Sequence, residues 1–226
     1  MKFKFAIMMF LTIFSMSGCA YIQKAKRTDE LENENQNLRA RIVQLQNEKT
    51  KEIEHVVEQK DRELSELEKA KLELEEALKK EIGSYKAKLE MTERGLVITF
   101  LSEVFFASGK DIIREDGKES IRRVAEVLNR DVPNSNVAIE GHTDKQPIKY
   151  SGWQSNWELS SARALAVLHY LVDECKVVPT RLSANGYGEF RPVAANDTKE
   201  NMQKNRRVEI VILPSKISKV TKGVLK

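Results

Sequence analysis

The chain has 226 residues, 32% of them charged and only 7% aromatic, a composition that fits one compact domain joined to an elongated segment better than one large core. The formal net charge of +4 is small, and no basic cluster is interleaved with aromatic residues, which argues against a nucleic-acid-binding protein. The two cysteines, Cys19 and Cys175, lie far apart without CxxC or Cys/His spacing, so neither a disulfide framework nor a structural zinc site is expected.

The first eighteen residues have the pattern of an export signal. A basic start precedes an apolar run from Phe5 to Phe14, which is too short to span a bilayer because a span needs about 20 residues. The signal ends in Ser17-Gly18-Cys19, which resembles a bacterial lipobox. That resemblance implies cleavage before Cys19, lipidation of its thiol and amino group, and, because Ala20 follows, a place in the outer membrane facing the periplasm. The alternative is an ordinary signal peptide with an incidental cysteine.

Residues 24–94 have the composition of a coiled coil, with no proline, one glycine and many Glu, Lys, Gln and Leu residues. Leu31, Leu38 and Leu45 repeat every seven residues, and the pattern resumes through 64–78 after a break near His55. An apolar seam of this kind must be buried, which predicts self-association of the stalk. The alternative is a lone helix stabilised by ion pairs between residues four apart.

Beyond the stalk, strands are predicted to alternate with helices. Leu96–Leu101 is apolar enough for a buried strand, and two more strands are predicted at Leu182–Gly188 and at 208–212. An apolar stripe from Ile121 to Leu128 predicts one helix, and a second helix follows Ser155. This alternation predicts an α+β fold of the βαβαβ type, with a mixed sheet and helices on one face.

The predicted organisation therefore has five parts. The last part is basic, contains no acidic residue, and is expected to be disordered. In chain order, the parts are a signal peptide (1–18), a lipidated start (19–23), a coiled-coil stalk (24–94), a globular domain (95–213) and a basic tail (214–226).

The most informative stretch is Val137–Ala164, in which a strand, a polar loop and a helix follow one another. The strand stops before Asp144. Ser155 and Glu158 have the spacing of a capping box at the start of the helix, and Arg163 lies on its early turns. If the loop folds back, a carboxylate, an arginine and helix amides face one pocket. Such a pocket suits a ligand that carries an ammonium and a carboxylate on one carbon, the head group of an amino acid.

Four spaced motifs in this domain resemble one known family. They are GHTD at 141–144, SNWELSSARA at 155–164, GYGE at 186–189 and NRRVEI at 205–210. The set is similar to the OmpA-like peptidoglycan-binding domain shared by OmpA, Pal and MotB, and the second motif is closest to the MotB type. The resemblance covers residues 96–213. It implies that Asp144 and Arg163 hold the free end of diaminopimelate in the peptidoglycan stem peptide.

The candidate peptidoglycan-binding set consists of Asp144, Arg163, Thr143, Asn156, Leu159 and Arg207. Structural alternatives exist for several of these residues. Asp144 would cap a turn, Arg163 would form a surface ion pair, and Asn156 would only support the helix start. For Arg207, which the resemblance places near the ligand carboxylate, the alternative is a solvated charge. Trp153 and Trp157 either stack on a sugar or pack over the capped helix.

Two other classes of function match single features. His142, Asp144 and His169 offer ligands for a zinc-dependent cell-wall hydrolase, but no HExxH pair or placed base accompanies them, so no metal, cofactor or catalytic residue is expected. A MotB-type flagellar stator with an uncleaved N-terminal helix is the second alternative. Segment 5–14 lacks the acidic residue that such a proton channel implies.

The main hypothesis is a non-enzymatic outer-membrane lipoprotein that tethers the membrane to the cell wall without covalent attachment to it. Its expected partners are peptidoglycan with a diaminopimelate-containing stem peptide, the outer membrane through the lipid on Cys19, and further copies of the chain through the coiled coil. No nucleic acid is expected among them.

Overall fold

The computed structural model describes the backbone of residues 2–149 and 152–214, and the side chains of these ranges from residue 23 onward. The side chains of the predicted signal peptide, the lipidation site Cys19 and the tail from residue 215 lie outside the described residues, so these three hypotheses stay predictions. The chain divides into two units, residues 1–58 and 59–226.

The first unit belongs to α1, a helix that spans Lys2–Ala77. Within residues 23–58 the predicted seam is exposed, with Leu31 at 53% and Leu38 at 54% exposure. An exposed apolar stripe at heptad spacing gains free energy when it packs against another copy. Self-association of this unit stays a prediction.

The last turns of α1 have a different role from the one predicted. Leu67 and Leu74 of these turns, and Leu78 just after them, belong to the predicted seam at 64–78, but they are buried in the core of the second unit. An ion pair of 3.1 Å between Lys69 and Asp131 holds these turns beside the C-terminal end of α4, which spans Glu115–Arg130. Over this portion, the apolar seam packs against the chain's own domain rather than against a second helix.

The predicted stalk boundary at residue 94 is also wrong. After α1 comes a short helix α2 (Lys79–Gly83), and then a strand β1 (Ala87–Thr92) pairs antiparallel with β2 (Gly95–Leu101). The apolar residues of β1 alternate with polar ones, which is the period of a strand. Leu89, which lies inside the predicted stalk, fits this alternation and not a heptad repeat. The globular fold therefore begins before residue 95.

The sheet has five strands in the order β1-β2-β5-β3-β4. Only β3 and β4 are parallel; the other neighbours are antiparallel, so the predicted mixed sheet is confirmed. The remaining elements are α3 (Ser102–Phe105), β3 (Asn136–His142), α5 (Asn156–Asp173), a 3-10 turn (Pro179–Arg181), β4 (Leu182–Gly186), α6 (Lys199–Asn205) and β5 (Arg207–Leu213).

The main core lies on one face of this sheet. Alternate residues of the three central strands pack against α4, α5 and the last turns of α1, as the α+β prediction requires. Its members with no exposed surface include Phe100, Ile139, Ile210, Val124 and Leu171. On the opposite face, Val97, Ala138 and Val211 form a small second cluster. The sheet therefore separates the main core from the small cluster, and the direction of each strand side chain determines which of the two it joins.

We predict that Leu74→Ala lowers the free energy of unfolding of the second unit by about 2–5 kcal/mol, because Leu74 has no exposed surface. Leu38→Ala is the matched control, because it removes the same atoms from a side chain that is 54% exposed. It should change the free energy of unfolding of the second unit by less than about 0.5 kcal/mol. Both tryptophans lie in the second unit, so their fluorescence during urea titration measures its stability. Equal midpoints for the two variants would contradict the burial of α1 in this core.

Candidate functional site

The GHTD motif ends the central strand β3. Gly141 is required there by a close contact, since a Cβ atom at this position would lie 2.0 Å from the carbonyl oxygen of Ser160. The absence of a side chain lets α5 pack directly on β3. Thr143 and Asp144 follow the strand, and the backbone amide of Thr143 donates to the carbonyl of Gly188 at 2.9 Å. This bond fixes the strand end beside the GYGE turn.

The N-terminus of α5 has the capping arrangement that the sequence predicts. The Ser155 hydroxyl accepts a hydrogen bond from the Glu158 amide at 3.2 Å. The Glu158 carboxylate accepts from the amide of Gln154 at 2.8 Å, one residue earlier than in the standard capping box. The start of α5 is therefore fixed, and Asn156 and Arg163 project from defined positions.

Asp144 is a buried carboxylate, with 4% of the residue exposed. One of its oxygens accepts from the amide of Gln146 at 3.0 Å, so it does cap the turn that follows β3. The other forms an ion pair with Arg206. One carboxylate oxygen of Asp144 therefore caps the turn, and the other forms the ion pair.

Arg163 is also buried, with 5% of the residue exposed. Its Nε donates to the carbonyl of Lys110 at 3.0 Å and its Nη2 to that of Ala107 at 3.4 Å, while the guanidinium lies 5.3 Å from the centre of the Phe106 ring. These contacts come from the loop that precedes α4, and they hold the guanidinium in place. It is not the surface ion pair that the structural alternative describes.

The charges of this site influence one another. Burial, followed by the positive charge of Arg206, lowers the pKa of Arg163 to about 10, while the carboxylates of Asp111 and Asp144 oppose the decrease. The charges of Asp144 and of its partner Arg206 therefore both affect the pKa of Arg163. The fold thus places Arg206, which the hypothesis did not include, within electrostatic reach of Asp144 and Arg163. Ligand binding by these residues stays a prediction.

The expectation for Arg207 must be corrected. Its Nε donates to the Glu209 carboxylate at 2.6 Å, and its Nη2 donates to the Arg191 carbonyl at 3.2 Å. Arg207 begins β5, and side chains alternate along a strand, so it shares a sheet face with Glu209 and not with Val208, which belongs to the main core. The residue that reaches Asp144 is the preceding Arg206. This alternation was readable in the motif NRRVEI.

The other three predicted contact residues, Thr143, Asn156 and Leu159, differ in their surroundings. The hydroxyl of Thr143 is buried without a hydrogen-bond partner among the described residues. The side-chain amide of Asn156 donates to the Gln146 carbonyl at 3.1 Å and to Glu189 at 2.6 Å. It therefore organises the loop after Asp144, whereas the helix start is capped by Ser155 and not by Asn156. Leu159 is a buried apolar residue.

A second charged group lies on the other face of the sheet. Glu140, His142 and Glu209 place potential metal-ligand atoms within 4.8 Å of one another. Arg94 pairs with both glutamates, and Arg207 pairs with Glu209, so the positive charge that a metal would supply is already present. The arrangement is a neutralised ion-pair network.

The zinc site considered from sequence is not assembled. His142 belongs to the buried network above, whereas Asp144 pairs with Arg206. The His169 side chain is 67% exposed and lies 3.9 Å from Asp173 on the same helix. The three proposed ligands therefore have separate partners and do not form a metal-binding cluster.

Comparison with known proteins assigns the family. Residues 105–206 match the OmpA family model. Motility protein B of Bacillus subtilis is 42% identical over 149 residues, which cover 66% of this chain and 57% of that protein. The uncharacterized protein YtxE of the same organism is 33% identical over 218 residues, which cover 93% of this chain and 84% of that protein. The chain belongs to the OmpA family, and its similarity to the second relative includes the N-terminal helix.

A solved structure supports the same assignment. The cell wall anchor of the T6SS from Pseudomonas aeruginosa is 30% identical, with a TM-score of 0.57, and the match covers 63% of this chain and 97% of that one. The chain therefore carries an OmpA-like peptidoglycan-binding domain. Among the residues whose side chains are described, no helix is long and apolar enough to cross a membrane.

We predict that acid destabilises the fold through His142. Burial, together with the positive charges of Arg207, Arg191 and Arg94, lowers its pKa from 6.5 to about 3. As pH falls between these values, the unfolded chain binds a proton that the folded chain does not, so stability decreases by up to about 1.4 kcal/mol per pH unit.

Urea midpoints measured from pH 7.5 to 4.5 test this dependence. His142→Gln should flatten the profile, because it removes the group that titrates in the unfolded state. His169→Gln, which changes an exposed histidine, should keep the wild-type slope. Identical slopes for His142→Gln and the wild type would show that the buried imidazole does not control acid sensitivity.

Proposed function

We propose that this protein anchors a membrane-attached complex of the motility protein B type to the cell wall, and that its Asp144 site grips diaminopimelate. The observation that supports this most directly is the buried carboxylate of Asp144, paired with Arg206 and close enough to Arg163 to affect its pKa. A free amino-acid end carries the two complementary charges. No catalytic residue is needed for such a role.

Binding would proceed by exchange of ion pairs. The ligand ammonium takes the place of Arg206 at Asp144, and Arg206 turns to the ligand carboxylate. The Arg206 side chain is 39% exposed, so it has room to move, whereas Arg163 is held by two backbone carbonyls. One mobile and one fixed guanidinium would together give the carboxylate two charge-assisted contacts.

The unpartnered hydroxyl of Thr143 adds a further contact at the same strand end. It is buried, and an unsatisfied buried hydroxyl costs about 1–3 kcal/mol. A ligand oxygen or ammonium within reach would satisfy it. This contact favours a polar ligand that enters the site fully rather than one that touches only its rim.

The exposed seam of the first unit supports an assembly of several copies. Leu31 and Leu38 lie seven residues apart and are about half exposed. Pairing these helices would join two or more wall-binding domains, and several weak contacts with the wall would then act together. Attachment at the N-terminus and binding at the C-terminal domain would transmit force along the chain.

An outer-membrane lipoprotein tether is the second candidate, because Ser17-Gly18-Cys19 has the lipobox pattern. It shares the wall contact and differs in how the chain is attached to the membrane. The expected mature N-termini are therefore different. The motility-type candidate keeps residues 1–18, while the lipoprotein begins at an acylated Cys19.

Mass spectrometry of the intact protein from detergent-solubilised membranes separates these candidates. The motility-type candidate predicts a mass that includes residues 1–18 and contains no fatty acids. The loss of residues 1–18 together with added acyl chains would favour the lipoprotein instead. Cys19→Ser is the control, because it should remove any acyl mass and leave the other candidate's spectrum changed only by the substituted side chain.

We predict that Asp144→Asn weakens binding to a diaminopimelate-containing stem peptide by about a hundredfold, since it removes the charge that meets the ammonium. The asparagine oxygen can still accept from Gln146, so the turn should persist. Asp173→Asn, at an exposed position of the same unit, is the matched control and should bind like the wild type. Calorimetry with the free peptide provides the measurement; unchanged affinity of Asp144→Asn would refute the assignment.

A further inference from the structure

Two aromatic rings form an exposed platform at the start of α5. The rings of Trp157 and Phe190 stack with their centroids 5.0 Å apart and their planes inclined by 20°. Both residues remain exposed, Trp157 at 48% and Phe190 at 62%. A nearly parallel pair of this kind leaves aromatic surface open to solvent, on which a ligand with an apolar face can stack.

The platform rests on a hydrogen-bonded turn. Gly188 adopts a positive φ of 54°, and its amide donates to the Ser160 hydroxyl at 2.9 Å. The amide of Phe190 donates to the Tyr187 carbonyl at 3.2 Å, which closes the turn. The rings are therefore carried by two fixed elements, this turn and the capped start of α5. A preformed surface loses little entropy when a ligand stacks on it.

Each ring of the platform directly follows, in sequence, a residue that is linked to the loop after Asp144. Trp157 follows Asn156, and Phe190 follows Glu189. The Asn156 amide links these two positions, because it donates to Glu189 at 2.6 Å and also to the Gln146 carbonyl in the loop after Asp144. A ligand that leaves the Asp144 site past Asn156 therefore meets the two rings.

We propose that Trp157 and Phe190 form a sugar-binding subsite that stacks against the glycan strand of peptidoglycan, an inference that rests on the proposed function of the Asp144 site. In the wall polymer, the diamino acid is the third residue of a stem peptide attached to a sugar. Three extended residues span at most about 11 Å, so a ligand held at Asp144 brings its sugar close to the adjoining platform. The apolar C–H face of a pyranose ring suits a flat aromatic surface.

The polar groups around the platform favour a sugar over an anionic lipid surface. Glu158 and Glu189 are sequence neighbours of the two rings, and the third charged neighbour, Arg191, places its guanidinium over the Tyr187 ring at 3.7 Å. Carboxylates accept hydrogen bonds from sugar hydroxyls, whereas they repel lipid phosphates. Trp153, the other tryptophan considered from sequence, is half-buried, and its indole N–H donates to the Gly109 carbonyl at 3.0 Å, so it braces a loop rather than joining the platform.

Two ligands of different length separate the peptide contact from the sugar contact. One is the free stem tripeptide ending in diaminopimelate, and the other is the same tripeptide on its disaccharide. Calorimetry with the whole chain should show about tenfold tighter binding of the disaccharide form, equivalent to about 1.4 kcal/mol. Trp157→Ala and Phe190→Ser should each reduce that ratio towards one and leave the affinity for the free tripeptide unchanged.

Leu165→Ala is the matched control, because Leu165 lies on the same helix and is 46% exposed. It should keep the tenfold ratio. Trp157→Phe should restore part of the ratio, since it keeps an aromatic ring. Circular dichroism of each variant, together with its affinity for the free tripeptide, verifies that the fold is intact.

The outcomes distinguish this inference from the proposed function. Equal wild-type affinities for the two ligands, or a Trp157→Ala variant that keeps the tenfold ratio, would overturn the sugar subsite while the Asp144 assignment stands. If the wild type binds neither ligand, both proposals fail. Selective loss of the ratio in Trp157→Ala and Phe190→Ser, but not in Leu165→Ala, supports the sugar subsite.

Discussion

The ion pair between Asp144 and Arg206 is the interaction on which the site depends. It joins the end of β3 to the residue just before β5, two strands that are neighbours in the sheet. Buried carboxylates need compensation, and this one receives it from a side chain that is still 39% exposed. The pair neutralises the buried carboxylate, and the proposed exchange replaces the arginine with a ligand ammonium. Arg163, held by backbone carbonyls, provides a fixed charge beside this pair.

The sheet keeps two sets of charges apart. Arg206 serves the Asp144 site, whereas Arg207 pairs with Glu209 on the opposite face, where Arg94 and Glu140 complete a neutralised network. His142 is buried in that network and is held neutral by burial and by the surrounding arginines, which lower its pKa to about 3. One face thus carries the buried histidine whose low pKa makes stability depend on pH, and the strand end carries the site that we propose binds the ligand. Adjacent residues of the motif NRRVEI take part in different tasks because the strand period is two.

Local features of the sequence predicted the structure well. The capping box at Ser155 and the strand before Asp144 depend on neighbouring residues, and both are observed. The mixed sheet also followed from the alternation of strands and helices. The extent of the stalk could not be predicted in the same way. A heptad pattern predicts that Leu67 and Leu74 are buried, but it does not predict whether a second helix or the chain's own domain covers them.

In the site, too, features that depend on neighbouring residues could be predicted, whereas contacts between residues far apart in sequence could not. Asp144 and Arg163 were identified by their motifs, but the pairing of Asp144 with Arg206 joins residues 62 positions apart. The exposure of the Trp157 and Phe190 stack also depends on a turn distant from α5 in sequence. Such contacts require the folded chain. The strand alternation that separates Arg206 from Arg207, by contrast, can be read from the sequence itself.

The most direct test is a crystal structure of this chain with the diaminopimelate-ending stem tripeptide bound. The expected result is the ligand ammonium within about 3 Å of the Asp144 carboxylate, with Arg206 turned to the ligand carboxylate and Arg163 still on the carbonyls of Lys110 and Ala107. A ligand bound elsewhere while the Asp144–Arg206 pair remains intact would contradict the exchange on which the proposed wall contact depends.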